Sequence, residues 1–199
     1  RMHSSWWRVA RLFARSDVIT LPLEYPEPAA RYLGYTCRSV RLPDGHEEPG
    51  TRDLIRLTGW AATALLAHQS GVYVARKGEC HTLYRQHIGG EWADLLDDIY
   101  TLCRLRWSYR IPSNTTEQQQ LRDLCERTLG FEQYFMAIYR PYVLAELRGA
   151  DAAGVLFATE MLERVPLCDA DVMAALSQLA QREGEPVAPV ARAALAKMV

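Results

Sequence analysis

The sequence lacks long apolar runs: no stretch of about 18 apolar residues occurs, so it offers no membrane-spanning helix. It also lacks an excess of charge of either sign. Its 23 basic and 24 acidic residues leave a net charge of −1, a balance that gives nucleic acid or a membrane surface nothing to bind by charge alone. Cysteine is sparse and unpaired in pattern. Cys37, Cys80, Cys103, Cys125 and Cys168 are odd in number and form no C-x-x-C pair, which excludes a zinc ribbon or a disulfide framework and leaves reduced thiols on apolar helix faces. The opening RMHSSWWRVARLF has no continuous apolar core, because Arg8 and Arg11 interrupt it, so a cytoplasmic location is expected. HExxH, Walker, GxGxxG and GxSxG patterns are all missing, and no metal ligand set is expected.

Present instead is ordinary globular composition, 49% hydrophobic and 24% charged, whose patterning changes character twice. Residues 1–49 read as an irregular lead. A short helix over 5–15 places Trp6, Val9, Ala10 and Phe13 on one face, Val18 to Leu21 is β-prone, and Pro22 to Gly50 is crowded with proline and glycine. Such a lead looks more like the end of something preceding it than the start of a domain. Residues 50–148 read as a helical bundle. Thr51 is placed to cap a long helix, Asp53 sets a negative charge in its first turn, Leu54, Leu57, Ala61 and Leu65 recur at helical spacing, and Gly71 ends it.

Further helices are expected over 77–88, with Cys80, Leu83, Tyr84, His87 and Ile88 as the apolar stripe, and over 91–110, stopped by Pro112. Thr116 and Gln119 have capping-box spacing ahead of a helix burying Leu121, Leu124, Cys125, Thr128 and Leu129. Gly130 is expected to separate it from a last segment that turns Tyr134, Phe135, Ile138 and Tyr142 inward and is kinked by Pro141. Residues 149–199 form a tail of three short alanine-rich helices, 152–164, 170–182 and 187–198. The last two face each other like a HEAT-type pair and offer a surface for a protein partner. The fold class expected is all-α.

The frame RDLIRLTGWAATALLAHQSGVYVARKGEC sets an acid, Asp53, at the start of a long helix, a glycine, Gly71, at its end, and a lysine, Lys77, opening the next. This arrangement, with the order of helices after it, resembles the C-terminal helical domain of aminoglycoside adenylyltransferases of the streptomycin/spectinomycin type over about residues 50–145. A family arginine falls here at about Thr63. The resemblance implies a substrate-binding half of a nucleotidyltransferase-like protein. Asp53 would bind a cationic or hydroxylated acceptor and Lys77 the nucleotide phosphates, with ATP and magnesium as cofactors of the full-length protein only.

Catalysis in that superfamily needs a Gly-Ser turn and an Asp-x-Asp pair. No Gly-Ser occurs, and Asp169-Ala170-Asp171, after Pro166, reads as a helix cap, so this chain alone is expected to be inactive and no catalytic residue is assigned. The partners implied are a nucleotide and a small-molecule acceptor. Two readings from other classes stand beside it: a helical protein-interaction module using residues 149–199, and a ribonuclease of HEPN type. The latter rests on the Arg-x4-His spacing of Arg76 and His81, because the other copy, Arg41 and His46, lies in a proline-glycine loop. Arg104, Arg106, Trp107, Tyr109 and Arg110 interleave basic and aromatic residues, and Glu91, Asp94, Asp97 and Asp98 cluster at a helix start. The ends of a helix dipole explain both groups without a ligand.

Overall fold

The computed structural model describes residues 39–41, 47–164 and 166–198, with the backbone alone for 39–41, 47–49, Asp53 and Lys77. The helix and β-prone run expected before residue 22 lie outside the described residues, as does Cys37. The described chain is an all-α helical bundle preceded by one small antiparallel ladder, β1 (Ser39–Arg41) with β2 (Glu47–Pro49), in the register Val40 opposite Glu48. Pro49 ends β2, opposite Ser39, and proline is tolerated in such an edge strand.

Contacts divide the described residues into two compact units, one up to Tyr134 and one from Phe135. In the first, α1 (Arg52–Ser70) is the long helix expected from its leucine and alanine spacing. Leu54, Ala61, Ala62, Leu65 and Leu66 are buried, and Gly71 closes the helix in the left-handed conformation, φ 68°, with its N–H returned to Leu66 O. Thr51 does not cap α1 with its side chain. It is fully buried, and its N–H donates to Tyr109 O at 2.8 Å, tying the start of α1 to a distant loop.

A short 3-10 turn, Lys77–Glu79, leads into α2 (Cys80–His87), which buries Cys80 and Tyr84 and leaves His87 exposed. Gly89 and Gly90, both at positive φ, then reverse the chain into α3 (Glu91–Asp98). The regular helix expected over 91–110 stops at Asp98. Ile99–Arg106 winds on as a π-helix, and Trp107 N–H reaches Leu102 O. Ser108 and Tyr109, neither of them glycine, then turn through left-handed φ values of 50° and 69°. Wider turns keep Ile99 and Cys103 in the core while swinging the intervening residues round by an amount no 3.6-residue period encodes.

A second correction concerns α4 (Thr115–Leu147), one 33-residue helix where two were expected. Gly130 does not break it. A Cβ at this position would lie 3.2 Å from the Trp92 ring, so glycine serves the close approach of that indole, which also packs on Phe131 and Tyr134 at 5.5 and 5.6 Å. Pro141 lies inside the helix and does not end it. The cap also falls elsewhere than expected. Asn114 Oδ1 accepts Glu117 N–H at 2.8 Å and its amide donates to the Glu117 carboxylate, a side-chain cap two residues before Thr116. Beyond Gly130 the buried face runs Phe131, Phe135, Tyr139, Val143, Leu147 rather than through Tyr134, Ile138 and Tyr142.

The second unit holds the end of α4 with α5 (Ala152–Arg164), α6 (Ala170–Ala180) and α7 (Val187–Ala196). α7 packs on both α5 and α6, burying Ala188, Ala191 and Ala194 with Val172, Leu176 and Leu162, where small side chains let backbones approach closely. Asp169 caps α6 as expected, accepting from Asp171 and Val172 N–H at 3.0 and 3.2 Å. Among the described residues no helix is long and apolar enough to cross a membrane.

Candidate functional site

One face of α1 turns Arg52, Arg56, Gly59 and Thr63, spaced at three to four residues, with Trp60 beside Gly59, toward a cavity of about 420 Å³. That is the size of a small-molecule site. The opposite wall comes from Cys80 and His81 at the start of α2, Leu96 of α3, Ile99, Tyr100 and Arg104 of the π-helix, and Tyr109 of the left-handed turn. Strained backbone at a non-glycine residue and a π segment both concentrate at functional sites, and here both form the same wall.

Three guanidinium groups line this cavity, each resting on an aromatic ring. Arg52 lies over Tyr109 at 5.3 Å, Arg56 over Trp60 at 4.9 Å and Arg104 over Tyr100 at 5.0 Å. Among the described residues no carboxylate forms an ion pair with any of the three. A guanidinium stacked on a ring in this way can still donate from its N–H edge to an acceptor.

His81 stacks on Tyr100, ring centroids 4.1 Å apart, and its Nδ1 meets Asp97 Oδ1 at 2.7 Å. Asp97 is held in turn by Arg85 Nε at 2.5 Å, and Arg85 also bonds Asp94 at 2.5 Å. Partial burial works to raise the Asp97 carboxyl, but the bonds from His81 and Arg85 outweigh it and hold it below the usual carboxylate range. Cys80 is different in kind. Burial pushes its thiol up despite the Thr63 hydroxyl beside it, and its Sγ is spent on Gly59 O at 3.4 Å, so it is a neutral floor residue rather than a nucleophile.

The side chains of Asp53 and Lys77 lie outside the described residues, but their backbones are placed. Asp53 follows Arg52 in the first turn of α1. Lys77 precedes Gly78, where a Cβ would stand 3.5 Å from Arg104 Nη1 and 3.8 Å from the Tyr100 hydroxyl. Both are thus chain neighbours of the cavity. From its length alone, α1 would hold the two roughly 30 Å apart. The chain returns along it, bringing Cys80 against Gly59 and Thr63 at mid-helix, beside the cavity.

Other candidates separate. Arg76, with its side chain 84% exposed, pairs with Glu79 at 3.8 Å while His81 turns to Asp97. The basic and aromatic run divides: Arg104 and Tyr109 face the cavity, Trp107 is buried, and Arg106 pairs with Glu117 at 2.6 Å. Trp107 and then Asn114 and Arg106 hold the Glu117 carboxyl low against partial desolvation. Within the acidic cluster Arg85 takes Asp94 and Asp97, and Arg127 reaches Asp98 at 2.7 Å.

Arg52 and Arg56 were missed by sequence reasoning, as was the His81–Asp97 pair; the i, i+4 spacing of the two arginines with Trp60 was the available signal. Magnesium, implied by the resemblance, is not fitted by the one Asp-x-Asp. Arg140 clamps Asp169 and Asp171 at 2.7 Å each, and Asp169 also caps α6. Among the described residues no group of three His, Cys, Asp or Glu side chains is arranged to hold a metal. No family model, curated protein or solved structure matches this chain.

Proposed function

We propose that this chain is the substrate-binding helical part of a nucleotidyltransferase-like protein, and that the cavity along α1 holds an anionic ligand with a flat ring system, of nucleotide type. The single observation carrying the reading is the set of three ring-supported guanidinium groups, Arg52, Arg56 and Arg104, around one small-molecule-sized cavity. Phosphate oxygens accept from guanidinium edges in short charge-assisted bonds, and the aromatic lining of the cavity suits a flat ring system. Lys77, beside Gly78 at the Arg104 corner, adds a cation to the phosphate end, and Asp53, in the first turn of α1, receives the acceptor.

The test is calorimetric titration of the full chain with ADP, with adenosine as the neutral control. ADP is expected to bind saturably and adenosine at least tenfold more weakly. Arg56→Ala and Arg104→Ala should each raise the ADP Kd by about tenfold, equivalent to about 1.4 kcal/mol, without loss of helicity. Equal affinity for ADP and adenosine, or variants that bind as the wild type does, would dismiss the reading.

A further inference from the structure

The cavity holds a group that binding alone does not require. His81 is fixed in three ways: Nδ1 on Asp97 Oδ1 at 2.7 Å, its ring face on Tyr100 at 4.1 Å, and its backbone on the first turn of α2. With Nδ1 committed to a carboxylate, Nδ1 carries the proton and Nε2 is the basic nitrogen, the tautomer that orientation by Asp enforces in hydrolytic sites. Asp97 is itself anchored by Arg85, which Asp94 holds in turn, so the acid cannot swing away from the imidazole without also breaking its bond to Arg85. Arg104 joins this group through Tyr100, whose ring lies against both His81 and the Arg104 guanidinium. A proton acceptor and an anion-binding cation therefore flank one aromatic ring.

We infer that His81 is a general base, positioned by Asp97, for metal-independent hydrolysis of a phosphate ester or anhydride held by the cavity arginines. The inference rests on the anion-binding reading of the same cavity and goes beyond it, from holding a ligand to turning it over. The step is balanced within the site. His81 Nε2 takes a proton from water as the water oxygen forms a bond to phosphorus. The bond from phosphorus to the leaving oxygen breaks, and the imidazolium returns the proton to that oxygen if it needs one. No redox partner is involved. Charge accumulating on the phosphoryl oxygens is met by the guanidinium groups, which is where fixed donors contribute most. Asp97 is a positioning residue: it sets the tautomer and stabilises the imidazolium without touching the substrate.

Phosphate release from ADP by the full chain, purified and assayed in a chelator, is the test, run beside the calorimetric Kd. Wild type is expected to release phosphate. His81→Gln should lower kcat by about 100-fold or more while leaving the ADP Kd within about threefold, the size of effect a lost general base produces. Asp97→Asn should also lower kcat with Kd and thermal midpoint little changed, because the amide can still meet the ring but donates to Nδ1 and leaves the proton on Nε2. Asp97→Glu should recover part of kcat. ADP binding by a wild type that releases no phosphate, or release unaffected by His81→Gln, would overturn the inference and leave the binding reading standing; failure to bind ADP at all would remove both.

Discussion

The two compact units of this chain are built from helices of similar kind and put their polar groups to opposite uses. From Phe135 onward, charge is consumed locally: Arg140 bridges Asp169 and Asp171, Lys197 meets Glu163 at 2.9 Å, and Arg182 lies 3.7 Å from Glu185. Its cavity, about 260 Å³, is lined mainly by small apolar residues such as Ala152, Ala153 and Val155. Up to Tyr134 Asp94, Asp97, Asp98 and Glu117 are also paired, but the three cations over Tyr109, Trp60 and Tyr100 have no ion-pair partner among the described residues and share one cavity. Holding cations against ring faces around a cavity suits an anionic ligand, and has little purpose in a unit that serves packing alone. On the proposed reading, ligand binding belongs to the first unit and small-residue packing to the second.

The strongest way to break this comparison is to damage each core separately. Leu65 and Leu176 are both fully buried, so Leu65→Ala and Leu176→Ala should each cost about 2–5 kcal/mol in denaturant unfolding. Only Leu65→Ala should weaken ADP binding, since Leu65 belongs to the helix that lines the cavity. Equal loss of binding in both variants would show that the units do not divide the work.

A smaller effect is expected at Gly130, where the approach of Trp92 leaves no room for a branched side chain. Gly130→Val should cost about 1–3 kcal/mol through displacement of the indole, although valine is the better helix former, and should shift the Trp92 fluorescence. Unchanged stability would mean that the ring yields freely.

In the second unit, Asp169→Ala removes the α6 cap and one arm of the Arg140 bridge and should cost about 0.5–2 kcal/mol. ADP affinity should not move, which sharpens the division between the units.

The smallest effect is on the acid limb of stability. The folded Asp97 carboxyl lies below its ordinary value of 3.8, so its contribution is fully present above that value and disappears as pH falls through the lower, folded one. Asp97→Asn should flatten this part of the stability-against-pH curve, measured by thermal midpoint between about pH 5 and pH 2. A slope identical to that of the wild type would show that the carboxylate gains nothing from His81 and Arg85.

Local rules in the sequence determined most of the helices. Apolar spacing and the left-handed Gly71 set α1, Gly89 and Gly90 separate α2 from α3, and Asp169 with the Gly184 turn delimits the tail, because caps and breakers act over a few residues. What local rules left open was decided where distant residues meet. Gly130 reads as a breaker until Trp92, 38 positions earlier (130 − 92), is packed against it. The π winding of Ile99–Arg106 leaves no periodic mark, yet it sets Tyr100 against His81 and ends in the turn that carries Tyr109 to Arg52. Arg52, Arg56, His81, Asp97 and Arg104 span 53 positions of sequence (104 − 52 + 1), and only the return of α2 along α1 makes them one site. Sequence periodicity reports which face of a helix is apolar; which faces then enclose a cavity depends on crossing and return paths, and those are set by packing over the whole unit.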